Sequence, residues 1–229
     1  MNWNVNYKIM NEPASLCGMS DDRAPVTPNR RGVKSRELVL DAAERVMATE
    51  GFEAATINRV VEEAGVPLSS VYHYYGSKDG VLLAVMQRGV ERFFADVPDY
   101  DRRSGTPVEH LRLVISNAVD ALERNPNFLR LIIAFSVQPP QSGDGEISDV
   151  VHHVRQLALM RLRRQIAIAC DDNPRSVAVD RVARLALAAV DGAFVAVSAD
   201  QSLSLAKILD LLPAALVAAR QALNQTSRS

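Results

Sequence analysis

The sequence contains little cysteine and no surplus of positive charge. Its two cysteines, Cys17 and Cys170, lie far apart and lack the close spacing of a metal site, so neither a disulfide framework nor a zinc site is predicted. This usage is typical of a reducing compartment. The formal net charge is −1, with 26 Lys and Arg against 27 Asp and Glu. A surface for an anionic partner must therefore be a local patch.

Aromatic residues and long apolar runs are also scarce. Residues 1–20 have no continuous apolar core, which argues against a signal peptide. The most apolar run, residues 185–199, contains Asp191 and is shorter than the ~20 residues of a membrane-spanning helix. Aromatics make up only 5% of the chain, and Ala, Val and Leu dominate an apolar content of 48%. We expect an all-α, cytoplasmic protein with no membrane partner.

Apolar periodicity divides the chain. Residues 1–34 show none, and we interpret them as a flexible tail. The basic end of this tail, residues 30–34, fits a solvated linker and a functional arm equally well. Helical spacing begins at Ser35. About nine helices are predicted, in a first domain over residues 35–96 and a second over residues 106–225.

Capping signals predict where several helices begin and end. Thr56 and Ser77 are N-cap candidates, and Gly51 and Gly65 are placed to end helices. Residues 106–109, Thr-Pro-Val-Glu, have the order of a capping box with proline in the first turn.

Further along, the Asn-Pro pair at residues 173–174 predicts another helix start. A last helix is predicted over residues 202–224, kinked at Pro213 because the bond to the Leu209 carbonyl is lost.

One stretch of 15 residues, 64–78, contains no acid. It is flanked by Glu62 and Glu63 on one side and by Asp79 on the other. An acid-free window in an acidic neighbourhood is suited to a surface that contacts phosphates.

The sequence around this window, TINRVVEEAGVPLSSVYHYYGSKDGVL over residues 56–82, resembles the DNA-binding signature of TetR-type transcriptional regulators. The landmarks in register are Thr56, Ala64, Gly65, Val66, Tyr72, Tyr74, Tyr75, Ser77, Lys78 and Asp79. The resemblance covers about 50 residues. It implies a three-helix helix-turn-helix domain followed by a helical domain for ligand binding and dimerisation. The implied function is a ligand-responsive repressor that binds a near-palindromic operator as a dimer.

The resemblance and the chemistry of the side chains together indicate which residues contact DNA. Hydroxyl and ammonium groups at helix starts suit phosphate oxygens, and the candidates are Thr56, Tyr72 and Lys78. Short polar or apolar side chains on the recognition helix, with Asn at the start of the helix before it, suit base edges; the candidates are Asn58, Leu68, Ser69, Ser70 and His73. Tyr75 is expected in the core.

Three positions depart from the family pattern. Pro67 replaces a usual Ser or Thr N-cap, so we expect the recognition helix to begin with proline at its first position. Ser70 replaces a small residue and adds a hydroxyl that can read a base. Val61 replaces a usual alanine at the contact between the two helices. The operator sequence therefore cannot be predicted from relatives.

The second half of the chain presents two candidate surfaces. Small and apolar residues of the last two helices suit a four-helix dimer bundle, with an internal core face as the alternative: Ala186, Ala189, Gly192, Ala193, Ala196, Leu205, Ile208, Leu209, Leu212 and Leu216. Candidates for a pocket for a small apolar effector, each also compatible with ordinary core, are Phe128, Phe135, His152, Met160 and Phe194. His152 and His153 are adjacent, which is poor metal geometry, and no metal or cofactor is expected.

Two other classes of function compete with a DNA-binding regulator. An enzyme built into the helical bundle is disfavoured because the sequence has no nucleophile–base pair, no Glu-x-x-His pattern and no phosphate loop. A helical ligand-binding or scaffolding module without a DNA-binding role stays open at this point.

Overall fold

The computed structural model describes residues 30–52, 54–137 and 145–226, and within them it contains ten α-helices and no strand. The predicted all-α class is confirmed. The helices are α1 (Arg30–Glu50), α2 (Ile57–Ala64), α3 (Leu68–Tyr75), α4 (Lys78–Asp96), α5 (Pro107–Arg124), α6 (Pro126–Val137), α7 (Gly145–Cys170), α8 (Val177–Ala199), α9 (Leu205–Leu209) and α10 (Leu212–Thr226).

Local capping chemistry accounts for several of these boundaries. The Thr56 hydroxyl accepts the Arg59 amide at 3.2 Å, and the Ser77 hydroxyl accepts the Gly80 amide at 3.0 Å. Gly65 ends α2 in the left-handed region at φ 64°, where the absence of a Cβ removes the steric penalty.

The capping box of α5 is also present. The Thr106 hydroxyl accepts the Glu109 amide, and the Glu109 carboxylate accepts the Thr106 amide at 2.7 Å. The hydrogen bond from the Thr106 amide is the main reason that the pKa of Glu109 lies below its usual range.

The structure corrects two predicted helix starts. Helix α1 begins at Arg30, not at Ser35, because Arg and Lys form helices well without apolar periodicity. The predicted tail is otherwise outside the described residues. Helix α8 begins at Val177 with Ser176 as its N-cap, because the Asn173 side chain accepts the Arg175 amide and forms a turn instead.

The predicted last helix is two helices. The chain leaves helical hydrogen bonding at Asp210 and resumes it at Leu212, so α9 and α10 are separate. Pro213 lies in the first turn of α10, where its missing amide costs nothing, and it does not kink a continuous helix.

Two hydrophobic clusters hold the fold together. The first joins α1–α4 to α6 and the start of α7, around Met47, Val71, Leu82 and Ile132. The second joins α5, α7, α8, α9 and α10. Because Phe93 near the end of α4 packs against both clusters, α4 connects the two halves of the molecule. The domain boundaries near residues 96–106 stay a prediction.

Within the described part of the chain, α8 is long and apolar enough to span a membrane by length and composition alone. The apolar run at residues 185–199 is only part of this helix, which extends back to Val177. Its Asp180 and Asp191 pair with arginines of α7, and it packs against α7 and α10. These contacts are those of a helix within a helical domain.

Candidate DNA-binding surface and effector cavity

Helix α3 buries one face and exposes the other. Val71 is almost fully buried, whereas Leu68 and Tyr72 expose 42% and 50% of their surface. Ser69 and His73 are also exposed. Residues 68, 69, 72 and 73 share a face by helical spacing. A contiguous surface of short polar, aromatic and apolar side chains therefore points away from the core.

Three of the other predicted DNA-contacting residues lie at the starts of neighbouring helices, and Ser70 lies on α3 itself. Thr56 and Asn58 are exposed at the start of α2, and Ser70 on α3 is half-buried. Lys78 is half-buried at the start of α4, with its ammonium 4.2 Å from the centre of the Phe52 ring. This cation–π contact holds Lys78 beside the positive end of the helix dipole. Sequence reasoning missed the role of Phe52.

Pro67 is the N-cap of α3, not its first helical residue. Its backbone is extended, with φ −62° and ψ 141°, and it provides no side-chain cap. Its carbonyl instead accepts the Ser70 amide at 3.0 Å. The extended conformation is compatible with the fixed φ of proline, so the departure costs α3 a cap but leaves the turn intact.

Tyrosines on the buried side tie α3 to α1. The Tyr75 hydroxyl donates to the Arg36 carbonyl at 3.1 Å, and burial raises the pKa of Tyr75. The Arg36 guanidinium lies 4.7 Å from the centre of the Tyr74 ring. Tyr75 therefore has the packing role expected for it.

The two acids before the window, Glu62 and Glu63, are engaged with arginines. Arg59 lies 3.1 Å from Glu50, 3.4 Å from Glu62 and 3.8 Å from Glu63, and Arg45 lies 3.2 Å from Glu63. The hydrogen bond to Glu50 is the largest cause of the raised pKa of Arg59. These pairs reduce the repulsion that the acids would exert on a nearby phosphate.

A cavity of about 120 Å³ lies between α4 and the helices of the second half. Its wall is mainly apolar, and three phenylalanines contribute to it. The lining residues are Phe93, Phe94, Val97, Pro98, Asp99, Val114, Ala118, Leu122, Phe128, Leu129, Ile132, Val154, Arg155, Ala158, Arg161, Leu162, Gln165, Leu187, Val190 and Asp191.

Of the five predicted pocket residues, only Phe128 lies on this wall. Phe135 packs edge-on against Phe52 with ring centres 5.4 Å apart. His152 and Met160 are exposed, and Phe194 packs in the second cluster. The apolar pattern identifies buried residues but cannot distinguish those facing a cavity from those in contact with other side chains.

The charged groups on the wall have partners within the chain. Arg155 donates to both carboxylate oxygens of Asp191, at 3.0 and 2.5 Å. Arg161 donates to the Phe94 and Val97 carbonyls, at 3.2 and 3.1 Å. These last two bonds fasten the end of α4 to α7.

A network of polar side chains lies where the connector between α4 and α5 borders the cavity, and its members Asp99 and Gln165 line the wall. The Gln165 amide donates to Asp99 at 2.6 Å and to the Tyr100 carbonyl at 3.0 Å. Its oxygen lies 3.0 Å from Nε2 of the fully buried His110. The Ser104 amide donates to Nδ1 of His110 at 3.2 Å. The connector between α4 and α5 is thereby fixed to α5 and α7.

Adjacent residues of α4 contact the cavity wall and the helix-turn-helix. Arg88 donates to Asp41 at 2.7 Å and to Glu44 at 2.8 Å, both on α1. At Gly89, a Cβ would lie 2.3 Å from Cδ2 of Phe128. Phe128 therefore packs directly against the α4 backbone, so movement of its ring would also move α4.

No group of three or more His, Cys, Asp or Glu that could hold a metal ion occurs in the residues for which the structure gives positions. Within the same residues, Cys170 is a free thiol whose pKa is raised by burial.

The exposed α3 face, the turn before it and the helical bundle with its cavity define a helix-turn-helix DNA-binding protein with a second helical unit. Residues 39–85 match the family model for bacterial regulatory proteins of the tetR family. The chain is 25% identical to the transcriptional regulator BetI of Brucella canis, over 71% of this chain and 79% of that protein. It is 29% identical to the transcriptional repressor KstR of Mycolicibacterium smegmatis, over 50% of this chain and 56% of that protein.

Solved structures have the same fold. SmeT, the repressor of the Stenotrophomonas maltophilia multidrug efflux pump SmeDEF, matches with a TM-score of 0.62 and 24% identity, over 81% of this chain and 91% of that one. FadR from Bacillus subtilis, solved with stearoyl-CoA, matches with a TM-score of 0.63 and 20% identity, over 80% of this chain and 98% of that one. Residues 39–85 therefore match a DNA-binding domain of the tetR family, and the chain as a whole is similar to transcriptional regulators of the TetR type.

Proposed function

We propose that the chain is a homodimeric, cytoplasmic repressor that binds a near-palindromic operator and releases it when a small apolar effector occupies the cavity. The observation that carries this proposal is the position of α4. It contacts α1 through Arg88 and the cavity wall through Gly89, which is the next residue.

Operator contact is assigned to the eight residues on α2, α3 and the start of α4. The exposed hydroxyls of Thr56 and Tyr72 and the ammonium of Lys78 bind phosphates and fix the orientation on the duplex. The remaining five, Asn58, Leu68, Ser69, Ser70 and His73, read base edges in the major groove. Paired recognition helices enter grooves about 34 Å, or a multiple of that distance, apart.

Dimerisation is assigned to the exposed faces of α8 and α10, and Gly192 is the predicted residue that is exposed on these helices. Ala186, Ala193, Leu205, Leu209 and Leu216 are buried within their own chain and belong to the internal core that was the alternative. Exposed apolar residues on these helices include Leu185, Ala188, Gly192, Val195, Ala214, Ala215 and Ala218, and Leu211 is exposed just before α10. Apolar faces of this kind on two adjacent helices suit a symmetric bundle with a second copy.

Effector control is assigned to two arrangements of α4. An effector that fits the cavity only when Phe128 has moved binds one arrangement more tightly, and this differential affinity shifts the population of the dimer. The shift reaches α1 because Arg88 holds α4 to Asp41 and Glu44. In that arrangement the two recognition helices no longer match the spacing of the operator.

Selection of binding sites from a random DNA pool, followed by gel shifts at several salt concentrations, tests the proposal. We expect near-palindromic sites. Lys78→Ala should weaken binding to all sequences alike. It should also reduce the magnitude of the slope of log binding constant against log salt concentration by about 1. Ser70→Ala should change the preferred sequence, and Lys207→Ala on α9 serves as a control that alters neither. Absence of sequence-dependent binding across the pool would instead support a helical ligand-binding module without a DNA-binding role.

A further inference from the structure

The cavity wall identifies the chemical class of the effector. We propose that it is an uncharged molecule of one or two aromatic rings, recognised by shape and ring contacts and not by ion pairing. This inference rests on the proposed function only in calling the ligand an effector, because binding to the cavity can be measured by itself.

The volume of the cavity limits the size of its occupant. At about 120 Å³, it is slightly smaller than an engineered apolar cavity of about 150 Å³ that binds benzene. Pockets for drug-sized ligands span about 300–1,000 Å³. One ring therefore fits nearly as the wall stands, and a second ring requires outward movement of Phe128 or its neighbours.

Charge on the wall excludes ionised ligands. Arg155 and Asp191 neutralise each other through two hydrogen bonds. Asp99 accepts hydrogen bonds from Arg164 and Gln165. Arg161 donates to the Phe94 carbonyl on α4 and to the Val97 carbonyl just after it. Buried side-chain polar atoms without a partner do occur in the residues described, on Arg88, Arg163 and Arg220, but none of these residues lines the cavity. A charged ligand must break an existing pair or stay unpaired in an apolar cavity, and both are costly.

Aromatic side chains favour a ring over an aliphatic chain. The Phe93 and Phe94 rings meet edge to face with centres 5.1 Å apart, and the Phe93 and Phe128 centres are 5.9 Å apart. A ligand ring inserted among them continues this arrangement and gains from edge-to-face contact beyond the area it buries. Arg161 lies over Phe94 at 4.6 Å from the ring centre, which leaves its guanidinium engaged.

Thermal unfolding of the full chain with three probes of similar size tests the inference. Toluene is neutral, benzoate is an anion and benzylammonium is a cation. At about five times its Kd, toluene should raise the unfolding midpoint by roughly 2–4 °C. Benzoate and benzylammonium at the same concentration should leave the midpoint unchanged.

A matched pair of alanine substitutions locates the binding. Ala158 lines the cavity, whereas Ala95 is exposed on α4 and is not part of the wall. Ala158→Leu should fill the cavity and abolish the toluene shift, and Ala95→Leu should retain it. If Ala158→Leu does not fold, Ala118→Leu fills the same cavity from α5.

Each result decides between the possibilities. A shift by benzoate or benzylammonium as large as that of toluene, removed by Ala158→Leu, would overturn the uncharged class. No shift by toluene would overturn the inference as well. The effector role is tested with naphthalene, whose second ring requires movement of Phe128 or its neighbours. If naphthalene binds but leaves the affinity for the selected operator unchanged, the ligand class stands and the proposed effector role of the cavity fails.

Discussion

Tyr72 and Tyr75 lie on the same short helix but have different environments. Half of the Tyr72 surface is exposed, whereas the Tyr75 hydroxyl donates to the Arg36 carbonyl and its ring packs against the first core. A hydroxyl that is held inside the chain supports the position of α3, and one that points outward can bind a phosphate.

Removal of each hydroxyl should have a different effect. Tyr72→Phe should weaken binding to every DNA sequence by roughly 3- to 10-fold, because a phosphate hydrogen bond is lost without a change in base reading. Tyr75→Phe is the matched control: it should lower the free energy of unfolding by about 1 kcal/mol while the folded protein keeps its DNA affinity. Gel shifts and urea unfolding of both variants measure this. A larger DNA defect for Tyr75→Phe would contradict the assignment.

Local chemistry could be predicted at this scale, and contacts between distant residues could not. The caps at Thr56 and Ser77 involve residues three positions apart, so the pattern of the sequence contains them. The contact of Lys78 with Phe52 joins residues 26 positions apart, and the acid-free window gives no sign of it.

Among the helices, α4 has the most consequential contacts. Arg88 and Arg92 are one turn apart on it, and both approach Asp41 of α1. The Arg88 side chain is 11% exposed and 2.7 Å from Asp41, whereas that of Arg92 is 46% exposed and 3.9 Å away. Because a screened surface pair contributes little, α4 is held to α1 chiefly by Arg88.

We therefore expect unequal effects from the same substitution at the two positions. Arg88→Met should lower the free energy of unfolding by about 1–3 kcal/mol, because Asp41 and Glu44 lose their closest cation. Arg92→Met should change it by less than about 0.5 kcal/mol. Urea unfolding at pH 7 measures both values. Similar losses for the two variants would show that Arg88 does not hold α4 to α1.

Helix ends were predictable where one local signal dominated. The capping box of α5 combines a hydroxyl, a proline and a glutamate within four residues, and the helix begins there. At Asn173 the same kind of signal forms a turn that competes with the helix, so α8 begins later. Residue patterns alone cannot decide between two local hydrogen-bonding arrangements of similar energy.

In the whole molecule, the apolar faces of α8 and α10 are divided between inside and outside. Packing against α5 and α7 buries Ala186, Ala193 and Leu216, whereas Leu185, Gly192 and Val195 stay exposed. The sequence predicted the two helices and the outward Gly192, but it did not identify Leu185 or Val195, because each helix is apolar on more than one side. The same limitation explains why only Phe128 was correctly placed on the cavity.

Gly192 provides a test of the dimer that does not disturb the subunit. A Cβ at this position would meet nothing within 4 Å, and replacement of glycine inside a helix removes a conformational cost of about 1 kcal/mol. Gly192→Leu should therefore leave the fold of each chain and toluene binding intact. In a symmetric bundle of α8 and α10, however, the added side chain prevents close approach of the second copy.

Light scattering coupled to size-exclusion chromatography should then give the mass of one chain for Gly192→Leu and of two chains for the unaltered protein. Operator affinity should fall at least 10-fold, because two half-sites are no longer bound by one particle. Ala95→Leu adds a similar side chain to an exposed position on α4 and should stay dimeric. A Gly192→Leu protein that keeps the mass of two chains would place the dimer contact on another surface. The distance between the two recognition helices, and with it the expected spacing of the operator half-sites, would then be set by that surface.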